Sequence, residues 1–102
     1  MTDMQAQLDR LARDEAWSVR ATAARDHSTR TETLDKLARD VDIYVRYCTA
    51  KNESTSVNTL ARMTKDHEWT VRCAVAKNKN TPESVLIDLL GDVSEPVRTA
   101  TN

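Results

Sequence analysis

Apolar residues recur along the chain in a fixed rhythm. Leu8, Leu34, Leu60 and Leu86 stand 26 residues apart, and Leu11, Leu37, Met63 and Leu89 follow them by three. That i, i+3 spacing puts each pair on one face of a helix. Asp14, Asp40, Asp66 and Asp92 keep the same register, as do Val19-Arg20, Val45-Arg46, Val71-Arg72 and Val97-Arg98. Small residues come next (Ala23-Ala24, Thr49-Ala50, Val75-Ala76), then Arg25-Asp26, Lys51-Asn52 and Lys77-Asn78. No gap breaks the register. One repeat domain over 1–102 is expected, with units at about 3–28, 29–54, 55–80 and 81–102.

Each unit reads as two short helices. Asp3, Thr29, Thr55 and Thr81 precede the repeated leucines by five residues and are good N-cap residues. First helices are therefore expected to start near residues 4, 30, 56 and 82. Thr29 and Glu32 have capping-box spacing, and Pro82 suits a first helical position. The second helix carries the Val-Arg pair, with Pro96 at its start in the last unit. Its basic end matches the negative pole of the helix dipole, and Asn52 and Asn78 suit a left-handed cap. One such unit cannot bury its apolar side alone, whereas stacked units can. The expected fold is all-α: an α-solenoid of four stacked two-helix repeats.

Composition narrows the function. The 102 residues are 39% hydrophobic and 30% charged, with one Gly and no Phe. That is foldable and helix-prone, and poor in strand and turn residues. Net charge is −1, which weighs against a dedicated nucleic-acid binder. The longest apolar run, Cys73 to Ala76, is too short to span a membrane. No apolar segment follows a basic head at the N-terminus, and the two cysteines fit a reducing compartment. A cytoplasmic protein is expected.

The units read L-x-x-L-x-x-D and then V-R-x-x-V-A-x-N-x-x-T-P, best seen in "VRCAVAKNKNTPE" and "SVLIDLLGD". This pattern resembles the leucine-rich repeat variant (LRV) family over nearly the whole chain, and HEAT-like repeats more distantly. The LRV resemblance implies units that alternate an α-helix with a 3₁₀-helix in a right-handed superhelix. The cysteine-rich iron–sulfur module of the founding member has no counterpart here, and no cofactor is expected.

The stretch "DHEWTVRC" (66–73) has the residue types of an active site, but the register dissolves it. Asp66, Val71 and Arg72 recur in every unit. The eight residues Asp14, Arg20, Asp40, Arg46, Asp66, Arg72, Asp92 and Arg98 read as a structural ladder, because an arginine fork can hold a carboxylate by two bonds. Trp17, Ile43, Trp69 and Glu95 share one position, which reads as core or a semi-buried ridge. Cys48 and Cys73 occupy small-residue positions, and His27 and His67 align with nothing, so no metal site is expected.

One surface feature is a candidate binding stripe. Arg10, Lys36 and Arg62 share a position on the first helices, and Arg13, Arg39 and Lys65 share another three residues on. Asp9 with Arg13 and Asp35 with Arg39 have ion-pair spacing that could neutralise it. The expected function is a non-catalytic protein-interaction module or adaptor. The alternative is nucleic-acid binding through the stripe, and a HEAT-like DNA-processing enzyme, akin to the alkylpurine DNA glycosylases, comes third. The expected state is a monomer, or a homodimer through an apolar end near Leu90 and Val93.

Overall fold

Short polar side chains set where most of the helices begin. The computed structural model describes residues 3–101, and among them there are eight α-helices and no strand. They are α1 (Met4–Leu11), α2 (Trp17–Arg25), α3 (Thr31–Leu37), α4 (Ile43–Lys51), α5 (Val57–Met63), α6 (Trp69–Lys77), α7 (Glu83–Leu90) and α8 (Glu95–Ala100). Asp3 caps α1 by accepting from the Gln5 amide, Asp42 caps α4 through the Val45 amide, and Ser56 caps α5 through the Thr59 amide. The recurrent aspartates make the turn inside each unit. Asp14, Asp40, Asp66 and Asp92 each accept from the amide two residues on, at 2.8–3.0 Å. This is the Asx turn, in which the side chain replaces a backbone acceptor. It leads directly into the second helix.

The even-numbered helices carry the stack. α2 packs on α4, α4 on α6 and α6 on α8, while each odd helix packs on the even helix that follows it. Small residues permit the close approach: Ala21, Ala23 and Ala24 on α2, Thr49 and Ala50 on α4, Ala74, Val75 and Ala76 on α6 are all buried. Val45, Val71 and Val97 are fully buried, as are Leu34 and Leu60. Leu86 is only partly covered and packs at the edge of the larger core cluster. Tyr47 touches both core clusters and so joins them. The result measures 47 × 23 × 16 Å.

Three sequence expectations need correction. The even helices are α-helical throughout and no 3₁₀ segment occurs among the described residues, so the α/3₁₀ alternation implied by the family resemblance is not followed. The repeated threonines do not cap the helices after them. Thr29, Thr55 and Thr81 are buried, and their hydroxyls donate backward to the carbonyls of Ala23, Thr49 and Val75 at 2.6–2.7 Å. The caps consequently shift by one, to Arg30, Ser56 and Pro82, and no Thr29–Glu32 capping box forms. Nor are Asn52 and Asn78 left-handed caps, for both have φ of −72°.

The asparagines bridge units instead. Asn52 Nδ2 donates to the carbonyls of Ala24 and Asp26, and its Oδ1 accepts from the Ser54 amide. Asn78 repeats this one period on, with the carbonyls of Ala50 and Asn52 and the amide of Asn80. Asn102, which follows Asn78 by 24 residues, does not share this register and lies outside the described residues. A helix end leaves its last carbonyls without intrahelical partners. Here the following unit supplies the donors for two of them.

Asn78→Leu keeps the size but removes both donors. The stranded buried carbonyls should lower stability by on the order of 3 kcal/mol, read as a reduced urea midpoint at unchanged slope. Asn58→Ala on the exposed side of α5 serves as the control and should change it by less than about 0.5 kcal/mol.

Candidate interaction surfaces

Three of the four recurrent arginines reach one unit forward. Arg20 donates from Nε and Nη2 to both carboxylate oxygens of Asp40, at 2.7 and 3.1 Å. Arg46 does the same to Asp66 at 2.9 and 3.5 Å, and Arg72 to Asp92 at 2.7 and 3.2 Å. The remaining nitrogen turns back on the arginine's own unit. Nη1 of Arg20, Arg46, Arg72 and Arg98 donates to the backbone carbonyl of Asp14, Asp40, Asp66 and Asp92 in turn. One guanidinium thus ties a turn of its own unit to the turn of the next. The arginine side chains in these three pairs are 11–15% exposed and the aspartates 8–9%.

The electrostatics follow the geometry. Burial pushes the Asp92 carboxyl up, but hydrogen bonds from Arg72 and from the Ser94 amide outweigh it, and its pKa lies below the ordinary 3.8. The hydrogen bond with Asp40 raises the Arg20 pKa above its usual value. With both faces of the guanidinium edge committed, these residues hold the fold and have little left for a ligand.

The stripe is exposed along its length, with Arg10, Lys36 and Arg62 on the odd helices; Arg13, Arg39 and Lys65 fall in the turns after them and not on the helices as expected. Its charge is partly neutralised. Asp35 lies 3.8 Å from Arg39 and also pairs with Arg62, and it accepts from the Thr59 hydroxyl at 2.9 Å. Asp9 does not pair with Arg13. It accepts instead from Arg30 and from the buried Thr33, one unit ahead, and these bonds lower its pKa. Asp9 with Thr33 and Asp35 with Thr59 are the same joint one period apart. At the next joint the residues are Ala61 and Val85, so the polar contact gives way to apolar side chains.

The shared position of Trp17, Ile43, Trp69 and Glu95 is not core. Trp17 is 50% exposed, Ile43 45% and Trp69 47%, and Tyr44 beside them is 41% exposed. They open the outward face of the even helices. Trp17 meets Tyr44 edge-on with centroids 5.7 Å apart, Tyr44 lies over Tyr47 at 6.1 Å, and Lys51 Nζ sits 5.3 Å from the Tyr47 ring centre. Arg25, Lys51 and Lys77 close the same face at the C-terminal ends of α2, α4 and α6, all exposed. The sequence did carry a signal for this. Each of these helices runs from a large apolar side chain to a cation eight residues on, at 17 and 25, 43 and 51, and 69 and 77.

Cys48 is buried and Cys73 partly so, and both are free thiols whose pKa burial raises. His27 and His67 are exposed on loops. At the far end, Leu90 is 53% exposed, Val93 91% and Ile87 on α7 58%. No protein-family model, curated protein or solved structure matches the chain.

Two predictions test the arginine–aspartate joints. Arg46→Ala leaves the Asp66 carboxylate, 9% exposed, without its bidentate partner. Stability should fall by roughly 2–3 kcal/mol, less than for a fully buried pair; an unchanged melting temperature would show that the pair does not hold the stack. The second concerns pH. Asp92 has a folded pKa below 3.8, so its contribution is full above pH 3.8 and is lost as pH falls through the lower folded value. Arg72→Ala should therefore flatten the acid limb of the stability–pH curve, as followed by thermal melts from neutral to strongly acid pH.

Proposed function

We propose that this chain is an α-solenoid of four LRV-type two-helix units, and that it serves as a non-catalytic protein-binding module. The packing order of the even helices and the cross-unit bonds that recur every 26 residues support the solenoid. One observation carries the function: a row of half-exposed Trp, Ile and Tyr side chains across α2, α4 and α6. Large aromatic side chains at a surface, rimmed by cations, have the composition of a protein interface centre. The arginine–aspartate joints hold that surface in shape.

Nucleic-acid binding through the basic stripe is the second reading. In its favour, Arg10, Arg13, Lys36 and Lys65 are exposed and make no ion pair among the described residues. Against it stand the neutralising Asp35 and the net charge of −1.

A photo-crosslinking phenylalanine analogue distinguishes the two faces, placed at Ile43 in one protein and at Lys36 in another. The protein-binding reading expects protease-sensitive, nuclease-resistant adducts from position 43 in host lysate, abolished by Trp69→Ala. Nuclease-sensitive adducts from position 36 alone would overturn it in favour of the stripe. The same outcome would appear as a gel shift of duplex or single-stranded DNA that weakens steeply with salt and is lost in Lys36→Glu/Arg39→Glu/Arg62→Glu. No such shift is expected.

A further inference from the structure

The face of α2, α4 and α6 has two chemically different edges. Trp17, Tyr44 and Trp69 stand at the N-terminal ends of the helices, and Arg25, Lys51 and Lys77 at the C-terminal ends. Eight residues of α-helix separate the two edges by about 12 Å. None of the three cations makes an ion pair among the described residues. Two recesses open between the edges. One, of about 490 Å³, is lined in part by Trp69, Cys73, Lys77 and Ala100. The other, of about 230 Å³, is lined in part by Arg25, Tyr44, Cys48 and Lys51. Each joins an aromatic wall to a cation and can take one apolar side chain beside one carboxylate.

We infer that this face docks an acidic amphipathic helix of a partner protein, its carboxylates on Arg25, Lys51 and Lys77 and its apolar edge along Trp17, Tyr44 and Trp69. The inference rests on the protein-binding reading above and names the partner's chemistry. Three dimensions agree. A helix is about 10–12 Å across, matching the gap between the edges. Packed helices lie about 8–10 Å apart, which sets the spacing of successive cations. Carboxylates seven residues apart on one helix face are about 10.5 Å apart, close to that spacing. A single strand of nucleic acid would also offer anions, but it binds by stacking bases on open ring faces. Here Trp17, Tyr44, Tyr47 and Lys51 already stack on or abut one another. The two recesses beside these rings suit aliphatic side chains.

The two tryptophans of the chain both lie on this face, so intrinsic fluorescence reports on it alone. The probe is a synthetic helical peptide of about 21 residues with Glu at every seventh position beside a Leu stripe. A second peptide carries Lys in place of Glu, and a third probe is single-stranded DNA of similar length. The Glu peptide should shift the emission to the blue and saturate. Lys51→Glu/Lys77→Glu should weaken it by about tenfold or more, Lys51→Gln/Lys77→Gln by less, and Arg10→Glu/Arg13→Glu on the other face should leave it within about twofold. Far-UV circular dichroism confirms that each variant stays helical. Equal binding of the Lys peptide, tighter binding of the DNA, or no response to the Glu peptide overturns the acidic helix. Position-43 protein adducts without a response to the Glu peptide would remove this partner and leave the protein-binding reading standing. Absence of both removes the two together.

Discussion

A nine-residue helix is a poor object by itself. It leaves four carbonyls unpaired at its C-terminus and is too short to be stable in water alone. The whole architecture depends on how those carbonyls are satisfied. At the end of α2 the carbonyl of Ala23 accepts from Thr29, and those of Ala24 and Asp26 accept from Asn52 in the next unit. At the end of α4 the same parts recur as Thr55 and Asn78. Because one donor is local and the other comes from the following unit, a helix end is complete only when its neighbour is in place. The packing of α4 on α2 and of α6 on α4 is therefore written into the hydrogen bonds of the backbone and does not rest on apolar contact alone.

The arginines do the same at the opposite end of each second helix. Arg46 holds the Asp40 carbonyl behind it and the Asp66 carboxylate ahead of it. Asp66 in turn shapes its own loop through the Glu68 amide. A partly buried ion pair is weak evidence for net stability, since desolvation offsets the attraction. Its stronger consequence is register. A bidentate fork fixes distance and angle between successive turns, so slippage by one residue would strand a carboxylate and a carbonyl together.

The period made much of this legible in advance. Leu34, Leu60, Val45 and Val71 recur at one spacing because each fills the same buried slot, and a slot that repeats shows itself in a single sequence. What stayed hidden were choices between two roles for one side chain. Thr55 has the hydroxyl of an N-cap and the hydroxyl of a backward donor; only the position of the Thr49 carbonyl decides, and that depends on the turn between them. Asn52 fits a left-handed cap by type, but its true partners lie 26 and 28 residues away, beyond any local pattern. Trp17 and Trp69 were open in the same way, as core or a semi-buried ridge, and at 50% and 47% exposure they are the ridge.

The same register also separates structure from function. A side chain required by the packing recurs in every unit, and Asp, Val and Arg do so four times. Positions free of that demand vary: Ser18, Tyr44, Thr70 and Pro96 share a place. Packing does not explain why Tyr44 falls on α4 between two tryptophans on its neighbours. Aromatic side chains exposed to water over nearly half their area forgo that share of the stabilisation that burial would give. Their clustering on one face, beside cations that no carboxylate answers among the described residues, is the part of the molecule that the fold leaves unexplained and a docked partner would account for.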